Sequence, residues 1–165
     1  DTDPGPSSAL SETWNGSSWT ETNNLNTARR GLHGSGVAYT AALGFGGISS
    51  PPSNSVAITE SWDGTNWTEV GDLNTDRAFG GGGGTTTAAL MFGGTQDPPR
   101  LANTEQWNGT SWTEVNDLNT AIYFTTGDGT VTSAILGSGF TTTTVGTAET
   151  WTGAGANSTV TFTVS

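Results

Sequence analysis

Glu12, Glu60, Glu105 and Glu149 each stand two residues before a tryptophan, in Glu12-Thr13-Trp14, Glu60-Ser61-Trp62, Glu105-Gln106-Trp107 and Glu149-Thr150-Trp151. Four carboxylates at one recurring position could ring a cation or supply the acid and nucleophile of a glycoside hydrolase. Glycoside hydrolysis needs two carboxylates in differing environments, whereas these four share one local sequence. A residue repeated at the same place in every unit is there to hold units together, by bonding backbone or an arginine of the next unit. That structural role is expected of all four, and neither catalytic residues nor enzymatic activity are expected.

Arginine is the other chemistry-bearing type. The chain has no Lys and only four Arg, so Arg29, Arg30 and Arg77 are candidate ligand-binding residues, whose forked guanidinium groups suit acidic peptides or glycans. The structural alternative pairs an Arg with a repeat Glu. His33 is the sole His and Cys is absent. There is therefore no disulfide framework, thiolate metal site or Cys nucleophile, and no metal or cofactor is expected. Asn15, Asn66, Asn108 and Asn157 open N-glycosylation sequons, three of them at or next to Trp-containing segments. The glycine run at 80–84 is not a phosphate loop, because neither Lys nor a helix pattern accompanies it. It reads as a strand through a crowded axis or as low complexity.

Fifteen acidic residues against four Arg give a net charge of −11, which excludes nucleic-acid binding driven by phosphate neutralisation. No stretch approaches the roughly 20 apolar residues of a membrane helix, so no membrane insertion is expected. The low aliphatic content leans toward disorder, but seven Trp residues supply bulky apolar area that disordered chains lack. The opening Asp1-Thr2-Asp3-Pro4 reads as a processed product or an excerpt of something longer.

The elements that must position these residues repeat with them. Trp14, Trp62, Trp107 and Trp151 follow one another at steps of 48, 45 and 44, the period of a supersecondary unit that buries its apolar face by stacking on neighbours. Asn15-Gly16, Asp63-Gly64 and Asn108-Gly109 predict tight hairpins between Trp14 and Trp19, Trp62 and Trp67, and Trp107 and Trp112. Apolar strands ending in Gly46-Gly47 and Gly93-Gly94 predict crowded inner strands with a sharp exit. Helix signals are absent. The expectation is a single all-β repeat domain over 1–165: a half unit at 8–22, then four-stranded units at about 31–70, 78–115 and 122–165.

Leu43-Gly44-Phe45-Gly46-Gly47, Glu60, Trp62, Asp63-Gly64, Trp67, Leu73 and Arg77 stand in an order that resembles the kelch repeat, one four-stranded antiparallel blade of a β-propeller. The likeness covers nearly the whole chain. It departs where Trp replaces the usual Tyr, where Gly137-Ser138-Gly139 replaces Gly-Gly, and where Ile122 stands in place of Arg29 and Arg77. The resemblance implies blades with the Gly-Gly strand near the interior, the Trp hairpin toward the rim, and Arg positions opening on a loop face. It does not extend to galactose oxidase, whose copper radical site needs a Cys and several His.

About 3.5 such units fall short of the four to eight that close a propeller. Completion by copies of the chain or by flanking parts of a longer one is therefore expected. The terminal alternation of Val160, Phe162 and Val164 with Thr reads as an edge strand seeking a neighbour. The function expected is a non-enzymatic structural or assembly protein, extracellular, on the cell surface or in a virion, that forms an oligomer, a fibre or part of a larger propeller. A glycan- or peptide-binding adhesion module and a fragment of a carbohydrate-active enzyme are the alternatives.

Overall fold

The computed structural model of the chain describes residues 6–50, 54–96, 98–153 and 158–161. Among them there are strands, turns and loops but no helix. A short hairpin opens the fold, formed by β1 (Glu12–Trp14) and β2 (Trp19–Glu21). Three four-stranded antiparallel sheets follow. The first is β4 (His33–Ala38), β5 (Ala41–Phe45), β8 (Thr59–Trp62) and β9 (Trp67–Glu69). The second is β10 (Gly81–Gly84), β11 (Ala89–Phe92), β12 (Thr104–Trp107) and β13 (Trp112–Val115). The third is β14 (Thr126–Thr130), β15 (Ser133–Phe140), β16 (Thr144–Trp151) and β17 (Ser158–Thr161). In each, space order follows chain order, and none closes into a barrel. A small sheet of β3 (Arg29–Arg30), β6 (Ile48–Ser49) and β7 (Asn54–Ser55) sits beside the first. No repeat signal announced it.

Pairing in register places like residues opposite one another. Trp14 faces Trp19, Trp62 faces Trp67 and Trp107 faces Trp112, each pair with ring centroids 5.5 Å apart. Gly16, Gly64 and Gly109 turn these hairpins with φ near +100° (+101, +96 and +96), a conformation open chiefly to glycine. Asn15, Asp63 and Asn108 each accept two backbone N–H groups through one side-chain oxygen, at 2.8–3.0 Å. These hydrogen bonds hold the Asp63 carboxyl below its ordinary pKa.

β11 shows how the sheets stack. All four of its residues are buried. Ala89 and Met91 enter a core with Leu43, Phe45, Leu73, Trp107 and Trp112, while Leu90 and Phe92 enter another with Ile122, Ala134, Leu136 and Trp151. Successive strand residues point to opposite faces, so the second sheet lies between the first and the third. The sheet faces at either end are more open. Trp14 and Trp19 are 44% and 64% exposed, against 2% and 4% for Trp107 and Trp112.

The leading strands β4, β10 and β14 meet, β10 touching both of the others. Side chains do not fit there. A Cβ on Gly82 would lie 2.4 Å from the Leu90 carbonyl oxygen and 2.9 Å from the His33 ring, and one on Gly83 would lie 2.9 Å from the Gly129 nitrogen. The glycine run is thus a strand in a crowded centre. The Gly-Gly doublets end the second strand of their sheets and take left-handed φ, +66° and +107° at Gly46 and Gly47, +63° and +102° at Gly93 and Gly94.

Candidate functional site: carboxylate clasps and an aromatic face

Each connection between sheets uses its backbone and its side chains in opposite directions. In the segment after β9, Val70 and Leu73 donate backbone hydrogen bonds back to the carbonyls of Thr59 in β8 and of Ala57 just before it. Its side chains reach the sheet to come. Glu105 Oε2 accepts from the Asn74 backbone N–H at 2.7 Å and from its Nδ2 at 2.8 Å, Oε1 accepts from Thr75 N at 3.2 Å, and Arg77 Nη2 completes the set as an ion pair. One unit earlier Glu60 is held by Asn26 at 2.7 and 2.8 Å, by Thr27 at 3.4 Å and by Arg29 at 2.9 Å. One unit later Asn119 grips Glu149 at 2.8 and 3.0 Å, with apolar Ile122 in the arginine's place.

These clasps leave their carboxylates little freedom for chemistry. Glu60, Glu105 and Glu149 are buried, and the hydrogen bonds just described occupy both oxygens of Glu60 and Glu105 and Oε2 of Glu149. Among the described residues no group of three or more His, Asp or Glu side chains gathers as a metal site. Glu12, at the same position in the opening hairpin, is exposed.

Arg29 and Arg77 correct an expectation. Both side chains have zero exposure and sit in ion pairs, so neither guanidinium can meet a ligand on a loop face. Arg29 Nη1 also donates to the Gly46 and Ile58 carbonyls at 2.8 and 2.7 Å, and Arg77 Nη1 to the Asn103 carbonyl at 2.8 Å. Burial pushes both guanidinium groups below their ordinary pKa, and attraction to Glu60 and Glu105 pulls them back up. Arg30 is half-buried at the start of the β3–β6 ladder. His33 is half-buried at the centre near Phe45. Its burial lowers its pKa, partly offset by hydrogen bonds to the backbone of Gly82 and Gly80 and by Asp128.

The sequon residues Asn15, Asn66 and Asn108 lie exposed at the tips of the three hairpins. Asn157 is outside the described residues, as are Phe162 and Val164 of the terminal alternation. Val160 lies in β17, which pairs with β16.

Two sets of residues were given no role in the sequence reading. The clasp asparagines were visible as a third beat, Leu25-Asn26-Thr27, Leu73-Asn74-Thr75 and Leu118-Asn119-Thr120. The other set is aromatic. Phe79 and Phe124 pack with ring centroids 4.5 Å apart, Tyr123 lies 4.7 Å from Phe124 and 5.5 Å from Phe140, and Arg100 sits 5.3 Å over the Tyr123 ring. Phe79 and Phe124 share one repeat position with Gly31, and Tyr123, Phe140 and Arg100 have no like residue at the matching place in other units, so no repeated signal marked the group.

No protein-family model matches the chain. No curated protein matches it either. Among solved structures, that of YjhT aligns with 86% of this chain at a TM-score of 0.70 and 11% sequence identity. The chain spans about half the length of that structure, 47%. At so low an identity the likeness concerns the fold alone: the all-β arrangement of antiparallel sheets is shared with YjhT.

Proposed function

We propose that this chain is a non-enzymatic structural and assembly module, a run of kelch-like blades that stacks with copies of itself or with flanking blades of a longer chain. The observation that carries this reading is the consumption of the repeated carboxylates. Glu60, Glu105 and Glu149 are each buried and held by the connection that precedes their own sheet. Chemistry that recurs in every unit is spent on joining units. The opening hairpin presents the same surface uncovered, with Glu12 exposed and Trp14 and Trp19 open, which suits a further blade seated against it.

An outside location, on a cell surface or a virion, fits the Lys-free, Thr- and Gly-rich composition with three exposed sequon tips. Native mass measured beside intact-chain mass tests the assembly reading. Association raises the first above the second in proportion to concentration, and turnover of a glycoside by the isolated chain would sink the non-enzymatic reading. A second reading, adhesion through a binding face, is favoured by exposed Phe124 and half-buried Tyr123 and Phe140 beside Arg100.

A further inference from the structure

The repeat offers an internal control for what is frame and what is not. Gly31, Phe79 and Phe124 occupy one position in three successive connections, two residues after Arg29, Arg77 and Ile122. Their backbones agree, with φ of +62°, +56° and +50°, and they are joined in series: Phe79 N donates to the Gly31 carbonyl and Phe124 N to the Phe79 carbonyl, both at 2.8 Å. The frame therefore asks for a left-handed residue, and glycine meets that need without steric strain. Two units carry phenylalanine there instead. A bulky residue held in a disfavoured backbone region needs a reason outside the frame.

What the two rings build is a platform. Phe79 lies over Gly31, where a Cβ would come within 2.3 Å of its ring, so glycine in one unit makes room for phenylalanine in the next. Phe124 packs against Phe79 with ring centroids 4.5 Å apart and planes tilted by 48°, and remains 60% exposed. The row continues through Tyr123 to Phe140, the last pair edge-on at 89°. Beyond it Arg100, exposed, lies 5.3 Å over Tyr123 and 5.8 Å from Phe140, apart from the Arg29–Glu60 and Arg77–Glu105 ion pairs. Thr95, Pro98 and Pro99 wall a cleft beside Arg100 and Tyr123.

We propose that this face binds neutral oligosaccharide, with Phe124 and Tyr123 stacking on the C–H faces of pyranose rings and Arg100 donating hydrogen bonds to ring hydroxyls. Rings that pack against one another are held in place before a ligand arrives, which spares ordering entropy on binding. A guanidinium held over aromatic rings by cation–π attraction still has N–H donors to offer a ligand. Charge selects among sugars. A chain at −11 repels polyanions at long range, so ring stacking supplies the affinity and uncharged glycans are the class that fits. The inference goes beyond the assembly reading and does not rest on it.

The test is calorimetric titration of the chain with maltohexaose, cellohexaose and laminarihexaose, with trigalacturonate as the charged comparison. At least one neutral hexasaccharide binds, and Phe124→Gly weakens it about tenfold or more. Phe124→Gly also separates a binding role from a structural one. Glycine suits the left-handed position, as Gly31 shows, so the variant keeps or raises the melting temperature while losing the sugar. Arg100→Ala weakens binding with no change in melting temperature. Silence from all three neutral sugars, tighter binding of trigalacturonate, or a Phe124→Gly variant that unfolds early while its folded fraction binds normally would each overturn the proposal. Native mass is read on the same samples, so a failure of sugar binding is not mistaken for a failure of assembly.

Discussion

Trp112 Nε1 donates a 3.0 Å hydrogen bond to Thr59 Oγ1, and both residues are buried in different sheets. Trp67 makes the equivalent bond to Ser11 at 3.2 Å. The residues just before Glu12 and Glu60 thus receive the indole of the following sheet. Thr59→Val keeps the shape and strands a buried N–H, a loss of about 1–3 kcal/mol. Urea unfolding reads it, and adding Trp112→Phe restores part of the loss, because the orphaned donor is then gone.

The Arg77–Glu105 pair predicts an asymmetric response. Glu105→Ala leaves a fully buried guanidinium without its counter-charge, which costs about 3–5 kcal/mol. Arg77→Ile reproduces the arrangement already present at Ile122, where Glu149 is gripped by Asn119. It therefore costs less than Glu105→Ala in the same denaturation assay, and equal losses would contradict the account of the clasp.

Burial lowers the His33 pKa from 6.5. The unfolded chain then takes up the proton more readily than the folded one as pH falls through about 6.5. Stability contributed by neutral His33 is complete above that value and is lost on acidification toward the lowered folded value. Melting temperature accordingly drops between pH 7.5 and 5.5, before the carboxylates titrate. His33→Gln flattens that slope.

Two glycine substitutions should part company. Gly82→Ala drives a Cβ to 2.4 Å from the Leu90 carbonyl oxygen and destabilises by about 1–3 kcal/mol. A Cβ on Gly137 meets nothing within 4 Å, and its φ lies outside the left-handed range. Gly137→Ala is neutral or stabilising by up to about 1 kcal/mol, through the reduced entropy of the unfolded chain. Thermal melts of both variants check the pair.

Exposure of the indoles gives an optical readout of assembly. Trp14 and Trp19 are open to solvent while Trp107 and Trp112 are enclosed. Acrylamide quenches the first pair and spares the second. Rising protein concentration should protect the first pair if a further blade seats against the opening hairpin, and a quenching curve that ignores concentration counts against that seat.

Much of the fold was legible because the sequence repeats its punctuation. Asn-Gly and Asp-Gly between paired tryptophans gave the hairpins, and Gly-Gly after an apolar run gave a crowded strand end. The β3–β6–β7 sheet was illegible: three two-residue strands carry no periodicity to detect. Composition could not decide between an exposed and an enclosed arginine at 29 and 77, since one residue type serves both. The connection after β9 decided it, turning Arg77 onto Glu105. The aromatic face was invisible for another reason, as Phe79 and Phe124 share their place with Gly31 and their neighbours Tyr123, Phe140 and Arg100 have no like residue in other units.

The connections hold the sheet behind with backbone and the sheet ahead with side chains, so the molecule has a direction. In the assembly proposed above, a stack joined this way has unlike ends: one presents an exposed carboxylate, as Glu12 is exposed here, and the other supplies the clasp. Like ends cannot mate. Addition through this contact is head to tail, a heterologous geometry that yields a ring when the rotation per blade closes and a filament when it does not. Two-fold pairing through this contact is excluded.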